Sequence, residues 1–136
     1  MEQQPIMIRI LKSSATAVTL IYVVDDAPFL RALYTALLER AGYKVSTFSD
    51  RARALTALKA EPCKPDLLIT DYLGFSMPVE PFMEQCRLVH PSLRILMVSG
   101  FNVTDLQFSL TAPDRFIQKP FSIGQLQNEV SAALAA

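Results

Sequence analysis

The chain has 136 residues, 51% of them apolar, and its thirteen basic residues are balanced by thirteen acidic ones. That is enough material for one domain around one core, and the absence of net charge removes the basic footprint on which non-specific nucleic-acid binding depends. The longest apolar-rich run, 15–24, contains Thr16, Thr19 and Tyr22 and falls short of the roughly 20 residues that cross a bilayer.

Residues 1–11 carry Glu2 and Arg9 and lack the layout of a secretion signal, so a cytoplasmic protein is expected. Strand-length apolar runs then alternate with stretches of helical period, and five such units can be counted. That alternation predicts parallel β/α units rather than a sandwich or a bundle. Residues 19–24 form the first strand, a nearly continuous apolar run suited to a sheet covered on both faces, and it ends in Asp25-Asp26. Pro28 suits a first helical turn, and Leu30, Leu33, Tyr34, Leu37, Leu38 and Ala41 follow a buried helical stripe up to Gly42. A short second strand covers 45–48. Ser49 or Asp50 caps a second helix with Ala54, Leu55 and Leu58 inside, and Pro62 and Pro65 break the chain.

The third strand, 66–70, is followed directly by Asp71. Phe82, Met83, Cys86 and Val89 mark a third helix that ends before Pro91, with His90 at the helix end expected to be exposed. The fourth strand, 94–98, leads into Ser99-Gly100, and the weak helical pattern over 103–110 predicts a short or irregular helix that Pro113 closes. Residues 116–118 form the fifth strand and end in Lys119-Pro120. Ser122 with Gln125 resembles a capping box, and Ile123, Leu126, Val130 and Leu134 are assigned to the inner face of a closing helix. Cys63 and Cys86 lack metal-ligand spacing and read as reduced and incidental. Residues 1–15 have no counterpart in this scheme and are an N-terminal extension; residues 16–136 form the domain.

In an open parallel sheet, ligands bind outside the carboxyl ends of the strands. The residues at those ends are Asp25 and Asp26, Asp71, Ser99 and Lys119. Three carboxylates brought together repel one another unless a cation compensates them. Magnesium, a hard ion that takes one or two carboxylates, several waters and a phosphate oxygen, meets that need. A phosphoryl group arriving on Asp71 would have its charge met by the metal, Lys119 and the Ser99 hydroxyl, leaving an aspartyl phosphate.

Strand-Asp-Asp, strand-Asp, strand-Ser and strand-Lys-Pro, in this order, resemble the receiver domain of two-component response regulators over about 19–136. The resemblance implies a flavodoxin-like (βα)5 α/β fold, a doubly wound parallel sheet with strand order 2-1-3-4-5 and a cis Lys119-Pro120 bond. It implies Asp25 and Asp26 as the acidic pair for Mg2+, Asp71 as phospho-acceptor and metal ligand, and the Leu73 backbone carbonyl as a further metal ligand. Ser99 and Lys119 would hold the phosphoryl oxygens, with Ser99 and Phe116 as switch residues.

It also implies a switch rather than an enzyme, one that catalyses only its own phosphorylation and dephosphorylation. The partners implied are a histidine kinase or phosphotransfer protein and a downstream protein target, without nucleic acid or membrane; a homodimer is left open. Two departures stand out. The loop 71–81 places Gly74 and then Met77-Pro78 where the family usually has Met-Pro closer to the acceptor, and the stretch between Ser99 and Phe116 is short. The altered loop is the support for an alternative, a pseudo-receiver interaction module that works without phosphorylation. An aspartate-nucleophile phosphatase is disfavoured because Asp25-Asp26-Ala27 lacks an Asp-x-Asp motif. Leu73 and Phe101, each two residues beyond a site residue, are bulky and apolar and are expected to hinder an attacking water.

Overall fold

The computed structural model describes residues 18–74 and 77–135; the extension assigned to 1–15 lies outside the described residues. The elements run β1 (Leu20–Val24), α1 (Pro28–Arg40), β2 (Lys44–Phe48), α2 (Arg51–Ala60), β3 (Leu67–Asp71), α3 (Val79–Val89), β4 (Arg94–Ser99), a 3-10 turn (Val103–Asp105), β5 (Arg115–Gln118) and α4 (Ile123–Ala135). Every strand pairing is parallel and the order is β2-β1-β3-β4-β5, the order that the resemblance implied. Among the described residues no helix is long and apolar enough to cross a membrane.

Alternate strand residues feed two apolar layers. Tyr22, Leu68, Ile95 and Met97 face Ala54, Leu58, Phe82 and Met83 of α2 and α3. Ile21, Val23, Ile69, Leu96 and Val98 face Tyr34, Leu38, Leu126 and Val130 of α1 and α4. All five residues of β1 are buried, as a strand covered on both faces requires, and each fully buried Leu or Ile contributes roughly 2 kcal/mol.

Local signals set the helix ends. Pro28 opens α1, and Gly42 follows it with φ of 100°, a left-handed conformation that glycine adopts without steric cost. Asp50 caps α2 by accepting from the Arg53 amide at 2.8 Å. Ser122 and Gln125 form a reciprocal capping box, the amide of each donating to the other's side chain at 2.7 and 3.1 Å.

Four burial assignments need correction. Leu33 is 42% exposed and Ile123 54% exposed, while Ala41 lies on the surface. The helical period names a face, but only its centre meets the sheet. His90 is not exposed but half-buried, and its Nε2 donates to the Pro65 carbonyl at 2.8 Å. The cis Lys119-Pro120 bond is present.

Between β4 and β5 the expected weak helix is reduced to the 3-10 turn. Side chains of α3 hold this connection instead. Glu80 accepts from the amides of Leu110 and Thr111, and Arg87 donates to Thr111 Oγ1, the Ala112 carbonyl and Asp114. Asp114 in turn accepts from the Ile95 amide at 2.8 Å, joining the connection to the sheet.

Both described cysteines are free thiols, Cys63 exposed and Cys86 buried, and burial pushes the Cys86 thiol up to about 12. Iodoacetamide at pH 8 should therefore modify Cys63 in the folded protein and reach Cys86 only in denaturant, because the thiolate is the reactive form. Equal labelling rates, read by peptide mass spectrometry, would contradict this packing.

Candidate functional site

The carboxyl ends of the strands all open on one edge of the sheet, and β1 and β3 are neighbours in it. Asp25 follows β1 directly and is 4% exposed. Its amide donates to the Phe48 carbonyl at 3.1 Å, its Oδ1 accepts from the Ala27 amide at 2.9 Å, and its carbonyl accepts from Arg31 at 2.8 Å. Ala27 offers no side-chain cap to α1, so the Asp25 carboxylate meets the amide at the helix entry. Asp26, one residue on, is exposed.

Asp71 ends β3 opposite Val98 of β4 and is half-buried. Lys119 Nζ stands 3.2 Å from its Oδ2. Burial pushes the Asp71 carboxyl above its ordinary value against the opposing pull of Lys119, and the nearby Asp25 adds to the rise. Asp25, Asp26 and Asp71 line one cavity of about 280 Å³ together with Thr70, Arg51 and Leu73.

Ser99 is buried at the tip of β4, and its Oγ accepts from the Phe101 amide at 2.9 Å. Lys119 is tied to the same strand by its amide, which donates to the Ser99 carbonyl at 2.8 Å. Phe116 on β5 is half-buried against the apolar layer of α2 and α3. The Leu73 side chain is 62% exposed.

Sequence reasoning missed one residue of this site, Arg51. It stands at the start of α2 and is 3% exposed. Its guanidinium donates to the carbonyls of Asp71, Tyr72 (3.1 Å), Leu73 (3.2 Å) and Met77 (2.9 Å). Burial pulls its pKa below the usual arginine value while Asp71 and Asp26 oppose that shift, and a guanidinium remains charged throughout. Burying such a charge costs several kcal/mol. Hydrogen bonds to a charged donor return roughly 1.5–3 kcal/mol each, so a set of four offsets the cost. Asp50 capping α2 just before it was legible, but nothing local marks Arg51 itself as buried.

The donor chemistry of the cavity fits a hard divalent cation, because three aspartates line it and such an ion takes one or two carboxylates directly and keeps waters. Among the described residues no group of three or more His, Cys, Asp or Glu side chains converges closely enough to hold an ion alone. The Leu73 carbonyl, expected to face the metal, accepts from Arg51.

The profile of the family described as response regulator receiver domain matches residues 21–131. The chain belongs to the response regulator receiver family. This receiver domain is 30% identical over 118 residues to the response regulator receiver protein CpdR of Brucella abortus, covering 85% of this chain and 97% of that protein. Against the alkaline phosphatase synthesis transcriptional regulatory protein PhoP of Bacillus subtilis it is 32% identical over 119 residues, spanning 84% of this chain and 48% of PhoP, about half of its length.

Among solved structures, a response regulator receiver protein from Sinorhizobium medicae superposes with a TM-score of 0.77 at 28% identity, covering 88% of this chain and 96% of that one. The response regulator TrrA from Thermotoga maritima, in complex with Mg(2+)-BeF, gives a TM-score of 0.75 at 25% identity, covering 86% and 100%. Receiver domains are signalling switches of two-component systems rather than conventional enzymes.

Arg51→Met should lower stability by about 3 kcal/mol, since it leaves four partly buried carbonyls without their donor. Urea unfolding should show this as a lower midpoint at unchanged slope. A loss below about 1 kcal/mol would mean that water replaces the guanidinium at little cost.

Proposed function

We propose that this receiver domain accepts a phosphoryl group on Asp71 from a histidine kinase or phosphotransfer protein in a magnesium-dependent step, in the cytoplasm, and signals through contacts with a downstream protein. The observation that carries the reading is Lys119 Nζ at 3.2 Å from Asp71, the carboxylate that lines one cavity with Asp25 and Asp26. The Mg(2+)-BeF complex of TrrA supports it by likeness.

In the proposed step an Asp71 carboxylate oxygen forms a bond to phosphorus as the bond from phosphorus to the donor imidazole nitrogen breaks. The imidazole keeps the electron pair and takes a proton from solvent. Asp25, Asp26 and Asp71 would hold the ion, and when bound it supplies positive charge to the phosphoryl oxygens.

Lys119 Nζ, already on Asp71 Oδ2, offers further N–H donors to the same oxygens. Ser99 Oγ accepts from the Phe101 amide and so keeps its own hydroxyl proton to donate. A movement of that hydroxyl toward the phosphoryl group would open space for the Phe116 ring to turn inward, the switch by which the modification alters the surface. Exposed Ile123 on α4 gives that surface an apolar contact for a partner.

Acetyl phosphate with Mg2+ should add one phosphoryl group to the parent protein and none to Asp71→Asn, as read by intact-mass spectrometry. No addition to the parent, or equal addition to both, defeats the reading.

Leu73 and Phe101 are 62% and 46% exposed, and Phe101 packs edge-on against Tyr72 with ring centroids 6.0 Å apart. Apolar bulk at these places hinders a water approaching the aspartyl phosphate. Leu73→Asn with Phe101→Glu should speed loss of the phosphoryl group by about tenfold, equivalent to ~1.4 kcal/mol of barrier. Decay no faster than the parent's would show that neither side chain guards the group.

A further inference from the structure

Arg51 lines two cavities. One is the acidic cavity of Asp25, Asp26 and Asp71; the other is bounded by Tyr72, Pro78 and Phe108, and Leu73 and Gly74 line both with Arg51. Its guanidinium donates to the carbonyls of Asp71, Tyr72, Leu73 and Met77. It lies so close to Gly74 that a Cβ there would stand 3.2 Å from an Arg51 nitrogen. The loop is thus shaped around a cation supplied by the chain itself.

We propose that Arg51 is a latch opposed to the divalent ion: with the guanidinium on the Leu73 carbonyl the acceptor loop is closed, and ion binding requires that contact to loosen. The inference rests on the magnesium reading above. A carbonyl oxygen carries two lone pairs, so the conflict is one of charge more than of vacancy. Arg51 already feels Asp71 and Asp26, and a second cation among those carboxylates meets a like charge it cannot displace by deprotonation. By linkage, whatever Arg51 costs the ion in affinity, the ion costs the latch in equal measure. Because Arg51 begins α2, the latch ties that helix to the state of the site.

The test is a Mg2+ titration of the 15N-labelled full chain, parent and Arg51→Met, followed by NMR. The variant should bind Mg2+ at least about fivefold more tightly. In the parent, the Arg51 Nε–H signal should move with the same midpoint as the Asp25 amide. Equal or weaker binding by a folded Arg51→Met overturns the latch. So does an Arg51 signal that stays still while the Asp25 amide shifts, and that measurement decides the matter even if the variant does not fold. Failure of both parent and variant to bind Mg2+ defeats the metal reading itself, whereas equal binding defeats the Arg51 claim and leaves that reading standing.

Discussion

Negative charge gathered at one edge of the sheet is the constraint on which the rest of this structure turns. Asp25, Asp26 and Asp71 line a single cavity, and carboxylates so placed repel one another unless cations stand beside them. Two side chains supply positive charge, in different ways. Lys119 meets Asp71 directly at 3.2 Å with both side chains partly in solvent, a pair whose net worth to stability is modest. Arg51 acts from α2 through the main-chain carbonyls that follow Asp71, and its burial makes that arrangement costly to leave half-made. One cation therefore touches the proposed acceptor while the other shapes the backbone around it.

The parallel sheet is what brings these groups together. All its strands point their carboxyl ends one way. The order β2-β1-β3-β4-β5 places the tip of β1 beside that of β3 and the tip of β4 beside that of β5. Val24 pairs with Thr70, so Asp25 and Asp71 each stand one residue beyond a paired position, and Ser99 pairs with Gln118, which sets Lys119 one residue past it. Slipping either pairing by one residue would turn every apolar side chain of that strand to the wrong layer. The core that fills the two layers thus also fixes the register of the site.

That dependence explains what was legible in the sequence. Asp25, Asp71 and Lys119 could be found because each is a charged residue at the abrupt end of an apolar run, and the sheet order followed from the family resemblance those ends carry. The weak pattern over 103–110 rightly announced a poor helix, yet Glu80 and Arg87, which hold the connection from α3, lie 24 to 31 residues away in sequence and leave no local mark. Leu33 and Ile123 were assigned to buried faces because periodicity reports apolar side chains and not whether another element reaches them. Arg51 was invisible for a related reason. An arginine after a capping Asp50 reads as solvated surface, and the carbonyls that receive its guanidinium lie 20 to 26 residues further on.

The unusual loop after Asp71 and the buried Arg51 are best understood as one feature. The fork of an arginine can serve several carbonyls at once, which the three donors of a lysine on a flexible stem would meet less well. Serving Asp71, Tyr72, Leu73 and Met77 together requires the chain to curl around the guanidinium. Gly74 lets it pass close, because any side chain there would press on Arg51. The later Met77-Pro78 then carries the chain from that curl into α3, with Pro78 preceding its first residue. The same enclosure that satisfies Arg51 places a fixed positive charge against the acidic cavity, so loop shape and site electrostatics cannot be altered separately.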